Sequence, residues 1–430
     1  MGSTSMSRVK SIIKMIFPES SWPYFILLRS LKAKIIYTTI FYFVATITKL
    51  FSGRWDLFNY AISELSFIRL NETAEDFETI HEMADTIYSV KPVYDLAQEP
   101  VSRQEHCKLY IYKLRSAAIY GDSNIIAKGK KVIYEIQNFK ANKNIIIRDI
   151  NMPYYSGRKA LIRQIPTFEV VPEGIKINGK YSWNYYHYLF EQISKLYYVN
   201  TSSIPKDVPL LVDGSICTVP QYQELLKYVL NGRRVKYLKK NKKYCINKLY
   251  IIPSGSHIAS NYVDDSRMSF TDNSFSYLPL RYIVDKVPKT CQQSKIFPER
   301  IYISRRNASG RRSFNEEEVF KTLESLNYQR VNVDDYSISE QAYLFNNAKY
   351  IVGGSGAAFS NLIYCNKGCK VICLTNYQYD ISLFSTLAQY SGAELIYLAS
   401  NKTSMVSRIH DSFSVDIKRL TLLLKGLHKQ

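Results

Sequence analysis

The sequence predicts an α/β protein with two parallel sheets, and three observations support this prediction. From residue 166 onward, short runs of β-branched and aromatic residues alternate with helical stretches. The alternation runs through two series, which a polar stretch at residues 260–280 separates. Its spacing is that of strand–helix–strand units, whose strands lie parallel. Two such domains facing each other leave a cleft at the carboxyl ends of their strands, where α/β proteins bind ligands.

The length of 430 residues is that of two domains with additional segments. The sequence pattern changes at three places along the chain, which divide it into four segments. Residues 55–100 have a mainly helical pattern. We predict a basic amphipathic helical segment at 1–75, a first α/β domain with a small antiparallel meander at 76–275, a second α/β domain at 276–405 and a closing helix at 406–430.

The strands and helices of the two series follow from their residue patterns. The first series has strands at TFEVV, PLLVD, VKYL and KLYIIP, and helices around 184–198 and 220–231. The second has strands at IYIS, YQRVNVD, YIVGG, KVICL and ELIYL, with helices at NEEEVFKTLESL, SEQAYLFNNA, from about 356, and around 381–390.

The net charge of +20 favours a negatively charged partner. An anionic membrane surface, an anionic substrate and nucleic acid would each attract such a chain. An AT-rich coding bias, visible in 36 tyrosines, would produce the same excess without any partner. The arginines gather at one strand end rather than along a face, which argues against nucleic acid.

The first 54 residues are basic and aromatic. Residues 35–48 are uncharged but too short to cross a bilayer, which takes about 20 apolar residues. The first 54 residues contain one acidic residue, Glu19, and eight basic residues: Arg8, Lys10, Lys14, Arg29, Lys32, Lys34, Lys49 and Arg54. Such a segment is typical of one that lies on an anionic leaflet. The alternative is a pair of helices packed on the domain that follows.

Seven cysteines are scattered along the chain without a CxxC pair. This pattern favours reduced thiols in a cytoplasm. Cys365, Cys369 and Cys373 fall in a predicted turn and strand, so no helical face gathers them as zinc ligands. We therefore predict no metal site.

Two motifs of the second series predict a diphosphate site. The stretch IYISRRNASGRR ends a strand in Arg305, Arg306, Arg311 and Arg312, which can donate paired hydrogen bonds to a pyrophosphate. The strand YIVGG ends in GGSGAAFSN, residues 353–361, where small residues let the backbone approach a phosphate. Both motifs lie on the carboxyl edge of one predicted sheet. Close packing is the alternative reason for the glycines.

The stretch YSWNYYHYLFEQ predicts a catalytic base in the first series. Helical spacing places Asn184, His187 and Glu191 on one stripe. Either His187 or Glu191 can serve as a general base with the other as its orienting partner. A solvated face of an amphipathic helix is the alternative. Asp213, which ends the strand PLLVD, is the next candidate base.

These residues resemble glycosyltransferase family 61 over roughly residues 105–400. The motifs that resemble the family are NYYHYLFE, RIYISRRNASGRRSFNEEEV and SISEQAYLFNNAKYIVGGSGAAFSNLIY. The resemblance implies a GT-B-like architecture of two Rossmann-like domains. It also implies a donor site that contains Ser304, Arg305, Arg306, Arg311, Arg312, Glu340, Gln341, Gly354, Ser355, Gly356 and Asn361, with Trp183 and Asn184 on the acceptor side. Glu340 also fits a capping box with Ser337, in which case it caps its helix.

The resemblance implies an inverting hexosyl or pentosyl transfer that needs no bound metal or other cofactor. The expected donor is a nucleotide-sugar, with UDP-sugars favoured, and the acceptor is a glycan or lipid-linked glycan. Bacterial members of the family act in capsule or lipopolysaccharide synthesis, which predicts a cytoplasmic protein peripheral on the inner face of the inner membrane. The family usually has His at position 355 and a Glu near Cys373. These departures favour an alternative, an inactive glycan-binding or scaffold protein.

Overall fold

The computed structural model has the mixed α/β fold that the sequence predicts. It describes residues 60–68, 78–135, 149–156, 159–258, 269–291, 295, 297–305, 313–380, 382–400 and 411–429. Most of the predicted membrane-associating segment, and Arg306, Arg311 and Arg312, lie outside the described residues. The strands are β1 Tyr60–Ile68, β2 Glu78–Val90, β3 Ser102–Tyr120, β4 Ile125–Lys128, β5 Lys131–Glu135, β6 Tyr154–Ser156, β7 Lys159–Arg163, β8 Phe168–Lys176, β9 Leu210–Asp213, β10 Val235–Leu238, β11 Lys243–Ile251, β12 Ser256–Ile258, β13 Asn273–Ser276, β14 Arg300–Ile303, β15 Gln329–Val331, β16 Tyr350–Gly354, β17 Lys370–Thr375 and β18 Glu394–Ala399.

The helices follow the strands in the alternating order that the sequence predicts. The α-helices are α1 Tyr185–His187, α2 Lys195–Thr201, α3 Pro220–Val229, α4 Tyr277–Lys286, α5 Glu316–Glu324, α6 Ile338–Asn347, α7 Phe384–Ser391 and α8 Ile417–Lys429. A π-helical turn, Tyr188–Ile193, joins α1 to α2. Short 3-10 helices form at Gly214–Thr218, Phe270–Asp272, Val333–Asp335 and Ala357–Tyr364.

The second series forms a five-stranded sheet in the order β15-β14-β16-β17-β18. All four pairings are parallel, as predicted. The carboxyl ends of β14 and β16 therefore lie side by side, with Ile303 opposite Gly353. This register brings the arginine-containing loop and the glycine-rich turn to the same edge.

The first series contains four parallel strands in the order β10-β9-β8-β11. The long strand β3 pairs antiparallel with β11 and with β4, so the meander predicted at 107–137 has its antiparallel pair at β3 and β4. This half of the chain thus combines a parallel sheet with antiparallel strands. The GT-B arrangement and the predicted domain boundaries stay predictions.

The prediction of mainly helical structure at 55–100 was wrong, because residues 60–68 and 78–90 are the strands β1 and β2. β2 pairs antiparallel with β3 from Glu78 to Val90 and with β13 at its end. Its sequence, ETIHEMADTIYSV, contains good helix formers such as Glu, Met and Ala. The pairing with β3 overrides that local preference, as tertiary context often does.

The chain divides into a smaller and a larger compact unit, and the smaller one includes residues 150–166. Its described strands are β1, β6 and β7, of which β7 pairs antiparallel with both others. The two series, with β2, β3 and β4, belong to the larger unit.

The closing helix predicted at 406–430 is observed as α8. Leu420, Leu424 and Leu427 are buried at helical spacing and pack in the core of the second series. No helix in the described part of the chain is both long enough and apolar enough to span a membrane.

Candidate functional site

The helix that carries the candidate base begins directly after Trp183. Asn184 is its cap: the side-chain Oδ1 accepts a hydrogen bond from the backbone N–H of Tyr186 at 3.0 Å. Asn is favoured at this position because its short side chain reaches the free N–H groups of the first turn. Asn184 is therefore occupied as a cap, whereas the side chain of Trp183 is 58% exposed.

A π-helical turn follows, where the sequence predicts a regular helix. The backbone N–H of Ser194 donates to Leu189 O, five residues back, at 3.1 Å. Phe190 O thereby loses its α-helical partner and instead accepts from three hydroxyls. Ser194 and Ser256 donate at 2.5 Å each, and Ser254 at 3.2 Å. Turns of this kind are frequent at functional sites, and this one holds Glu191.

His187 and Glu191 meet as the helical spacing predicts. His187 Nδ1 lies 2.9 Å from Glu191 Oε2. The side chains are 16% and 18% exposed, so both are largely covered but reach solvent. An imidazole hydrogen-bonded to a carboxylate fixes the orientation of that carboxylate. The pair has the geometry of a base and its orienting partner.

Asp213 ends β9 as predicted but is completely buried. Its carboxylate accepts hydrogen bonds from the backbone N–H of Asp122 at 2.6 Å, the backbone N–H of Gly179 at 2.9 Å and the hydroxyl of Ser182. Burial raises the pKa of Asp213 to about 6, and the charge of Asp122 adds to this shift. A buried carboxylate with three donors positions the loop before α1, and this geometry argues against Asp213 as the base.

Asn361 and Gln341 hold the two series together through their side chains. The hydroxyl of Tyr185, in α1, donates to Asn361 Oδ1 at 2.9 Å. Asn361 Nδ2 donates to Gln341 Oε1 at 3.0 Å, and Gln341 Nε2 donates to Tyr336 O at 3.0 Å. Both amides are buried and their groups are engaged. The structure therefore places these two predicted donor residues in an internal network.

A second contact between the series was not predicted from the sequence. The carboxylate of Glu224, in α3, accepts from the backbone N–H groups of Ile338 at 2.8 Å and Ser339 at 3.2 Å. These are free N–H groups of the first turn of α6, where a negative charge is favoured. Glu224 thus fixes the start of α6 against the first series.

Glu340 forms the capping box that the sequence allows. Its Oε2 accepts from the backbone N–H of Ser337 at 2.9 Å and from Lys295 Nζ at 2.7 Å. Although burial raises the pKa of Glu340, the hydrogen bonds from Lys295 and Ser337 outweigh it and lower the pKa below its usual value. Glu340 acts first as a helix cap.

Arg305 and the glycine-rich turn meet at one edge of the second sheet. The guanidinium Nη1 of Arg305 donates to Ser355 O at 3.1 Å. A Cβ at Gly354 would lie 2.8 Å from Arg305 Cδ, and a Cβ at Gly356 would overlap the guanidinium. The two glycines are therefore required by the close approach of the arginine. The structure brings together the arginine and glycine motifs that the sequence predicts to share a site.

Glu316 positions this arginine and was missed from the sequence. Its Oε1 accepts from the hydroxyl of Ser304 and from the backbone N–H of Arg305, both at 2.9 Å. Glu316 is the first residue of α5, in the run NEEEV, so its carboxylate faces back toward the end of β14. An acid in the first helical turn after an arginine-containing loop was the available signal. Ser304, a predicted donor-site residue, thus donates its hydroxyl to Glu316.

Metal ligands do not gather in the described ranges: no three His, Cys, Asp or Glu side chains lie close enough to hold an ion. Three of the predicted arginines, Arg306, Arg311 and Arg312, lie outside those ranges. Of the four arginines predicted to bind the diphosphate, Arg305 is therefore the one that the structure describes.

Comparison with known proteins places these residues in one matched region. No curated protein matches the chain. A family model, described as Glycosyltransferase 61, matches residues 185–372, somewhat less than half of the 430 residues. The match begins at the first residue of α1 and ends in β17. It includes Glu191, Arg305 and the glycine-rich turn. The chain thus carries a region similar to glycosyltransferase family 61. This similarity supports a function as a glycosyltransferase.

Proposed function

We propose that the protein is an inverting, metal-independent glycosyltransferase. It moves a sugar from a nucleotide-sugar, with UDP-sugars favoured, to a glycan acceptor in bacterial surface polysaccharide synthesis. The observation that carries this proposal is that one matched region contains both the His187–Glu191 pair and Arg305 over the glycine-rich turn. The first can accept a proton and the second can bind a diphosphate.

The reaction needs a base and a site for the leaving group. Glu191 takes the proton of an acceptor hydroxyl while that oxygen forms a bond to the anomeric carbon of the donor. The bond from this carbon to the diphosphate breaks, and its electron pair leaves with the nucleoside diphosphate. Attack from the side opposite the leaving group inverts the configuration. His187 orients Glu191 through the 2.9 Å contact.

The departing diphosphate carries negative charge that the protein must stabilise. Arg305 supplies a positive charge held in place by Ser355 and Glu316. The backbone of the turn Gly354–Gly356, whose two glycines let Arg305 approach closely, is the second element. Donors placed in advance at developing charge supply a large part of enzymatic rate enhancement. In this proposal they take the place that a divalent metal has in other transferases.

A second candidate is an inactive glycan-binding or scaffold protein on the same fold. Cys373 lies fully buried within β17, where the family commonly has a Glu nearby. Ser355, which stands where the family usually has His, is also largely buried. Both departures remove ionisable groups from the donor side.

The choice between these functions is tested by a screen of UDP-, CMP- and GDP-sugars. We expect one donor to release its nucleotide, and release to accelerate when a glycan acceptor is added. The measurement is coupled detection of the free nucleotide, with heat-inactivated protein as the control. Glycan binding without turnover of any donor would favour the scaffold protein.

Cytoplasmic location on the inner face of the inner membrane is part of the proposal. Its support is the net charge of +20 and the concentration of basic residues before position 55. Co-sedimentation of the full chain with phosphatidylglycerol vesicles at physiological salt, but not with phosphatidylcholine vesicles, is the expected result. Equal recovery with both would contradict it.

A further inference from the structure

The start of β8 presents two apolar side chains to solvent. Phe168 is 54% exposed and Val170 is 58% exposed. Because they lie two residues apart on a strand, both side chains point to the same face. Val171, on the opposite face, is buried in the core of the first series. Single exposed apolar side chains are ordinary, whereas neighbouring ones indicate a contact surface.

This end of β8 lies at an edge of the sheet. β8 pairs with β11 from Phe168 to Lys176, whereas its pairing with β9 is confined to Ile175 and Lys176. Among the described strands, the first half of β8 therefore has a partner on one side only. An edge of this kind with apolar side chains favours association with another molecule unless charge opposes it.

The stretch NGRRVKYLKKNKKYCINK, residues 231–248, brings positive charge to this edge. It contains eight basic residues and no acidic one. Because β8 and β11 are parallel and begin at the same end, the turn that leads into β11 lies beside the start of β8. Lys239 and Lys240 in this turn are exposed. Lys243 lies opposite Phe168, with its Nζ 5.8 Å from the centre of the ring.

Glu169, between the two apolar residues, does not offset this positive charge. One of its carboxylate oxygens contacts Lys236 Nζ, and the other lies 2.7 Å from Lys242 Nζ. The hydrogen bonds from Lys236 and Lys242 lower the pKa of Glu169 to about 2. The carboxylate is thus ionised and paired with two lysines at physiological pH, which leaves the charge of Lys239, Lys240 and Lys243.

Apolar and cationic side chains at one edge fit an anionic lipid surface. Ammonium groups are attracted to anionic headgroups, and an aromatic side chain can enter the boundary between headgroups and acyl chains. A nucleic acid or an acidic glycan would pair with the lysines but would give Val170 no apolar partner. A second copy of the chain would bring two sets of lysines together, which repulsion between like charges opposes.

We propose that Phe168, Val170, Lys239, Lys240 and Lys243 form a surface, the β8 surface, that docks on an anionic membrane. Phe168 and Val170 enter the boundary with the acyl chains, and the three lysines contact the headgroups. The proposal rests on the membrane location in the proposed function. It adds a contact in the first series to the basic segment before residue 55.

Co-sedimentation of the full chain with vesicles of phosphatidylglycerol and phosphatidylcholine tests the charged part. The double variant Lys239→Gln/Lys240→Gln should bind about tenfold or more weakly at physiological salt, because two lysines no longer contact the headgroups. The matched control is Lys418→Gln/Lys425→Gln, which removes two exposed lysines of α8. The control should bind with nearly the native affinity.

Phe168→Ser tests the apolar part. At high salt, which screens the attraction between charges, this variant should bind about tenfold more weakly than the native protein, because salt does not screen apolar burial. Leu422→Ser, which replaces an apolar side chain of α8 that is 68% exposed, is the control and should bind like the native protein. Circular dichroism checks the fold of each variant. Val170→Ser replaces Phe168→Ser if the latter does not fold, with the same expected loss.

The outcomes separate this proposal from the proposed function. Equal binding by the β8-surface variants and their controls would overturn the proposal and leave the membrane location intact. No binding of the native protein to the vesicles would overturn both. Weaker binding of the lysine variant alone, with Phe168→Ser unchanged at high salt, would overturn docking on a membrane in favour of another polyanion. Absence of donor turnover with vesicle binding intact would contradict the glycosyltransferase alone.

Discussion

Replacing Glu191 with Gln should lower turnover by roughly 10²–10⁴-fold, the usual contribution of a positioned general base. Gln has the volume of Glu and can still bind His187, so the π-helical turn should stay intact. It cannot take a proton from the acceptor. The affinity for the donor should change little, because the donor binds at the second sheet in this account. Steady-state rates and donor titration by calorimetry check both expectations.

The matched variant for this experiment is Arg305→Ala. It should weaken binding of the donor and of the free nucleoside diphosphate by about 1.5–3 kcal/mol, the range for hydrogen bonds to charged groups. The two substitutions should therefore separate into a rate effect and a binding effect. Native turnover in Glu191→Gln would place the base elsewhere, and unchanged diphosphate affinity in Arg305→Ala would place the leaving-group site elsewhere.

Replacing Asp213 with Ala should destabilise the protein strongly. The substitution removes the acceptor of three donors, the N–H groups of Asp122 and Gly179 and the hydroxyl of Ser182. The Ser182 hydroxyl still has Gly179 O as an acceptor, so two backbone donors are left without a partner. Each costs about 1–3 kcal/mol, so we expect a loss of roughly 2–6 kcal/mol in the free energy of unfolding. Urea denaturation measures it. Asp207→Ala, an exposed acid before the same strand, is the control and should change stability by less than about 0.5 kcal/mol.

The pH dependence of stability gives Asp213 a second signature. Its folded pKa of about 6 lies above the unfolded value near 3.8, so the folded state holds the proton more tightly. The stabilisation is complete below pH 4 and is lost as the pH rises through 6, a change of up to about 3 kcal/mol. Relative to Asp213→Asn, the native protein should therefore lose stability between pH 4 and pH 7. A constant difference over that range would contradict the raised pKa.

The strands of the second series could be predicted from the sequence because each is a short run of apolar residues between turn signals. β14, β16, β17 and β18 form near the predicted positions, and their parallel order follows from the intervening helices. The shared edge of Arg305 and the glycine-rich turn follows from the same argument. The local sequence pattern is sufficient to predict a strand where a short apolar run is buried and strands alternate with helices along the chain.

The elements that the sequence did not reveal depend on distant partners. β2 is a strand because β3 pairs with it, although its own residues favour a helix. The π-helical turn depends on hydroxyls of Ser254 and Ser256, more than sixty residues from Phe190.

The same reason explains the predicted site residues that have internal partners. Asp213 ends β9, Gln341 lies in the first turn of α6 and Asn361 lies within the 3-10 helix after β16. All three are near strand ends, where ligands bind in α/β folds. In the structure their side chains meet donors and acceptors from other elements. A sequence pattern places such residues at an edge but does not show which groups they meet.

The central claim is that the charge of the protein, rather than a divalent metal, stabilises the departing diphosphate. Transfer from the best donor in the screen, measured by nucleotide release with acceptor present, tests it when EDTA is added in excess. The account predicts that turnover continues at its rate without EDTA and that added Mn²⁺ or Mg²⁺ does not raise it. Loss of turnover in EDTA, with recovery on adding either ion, would contradict it.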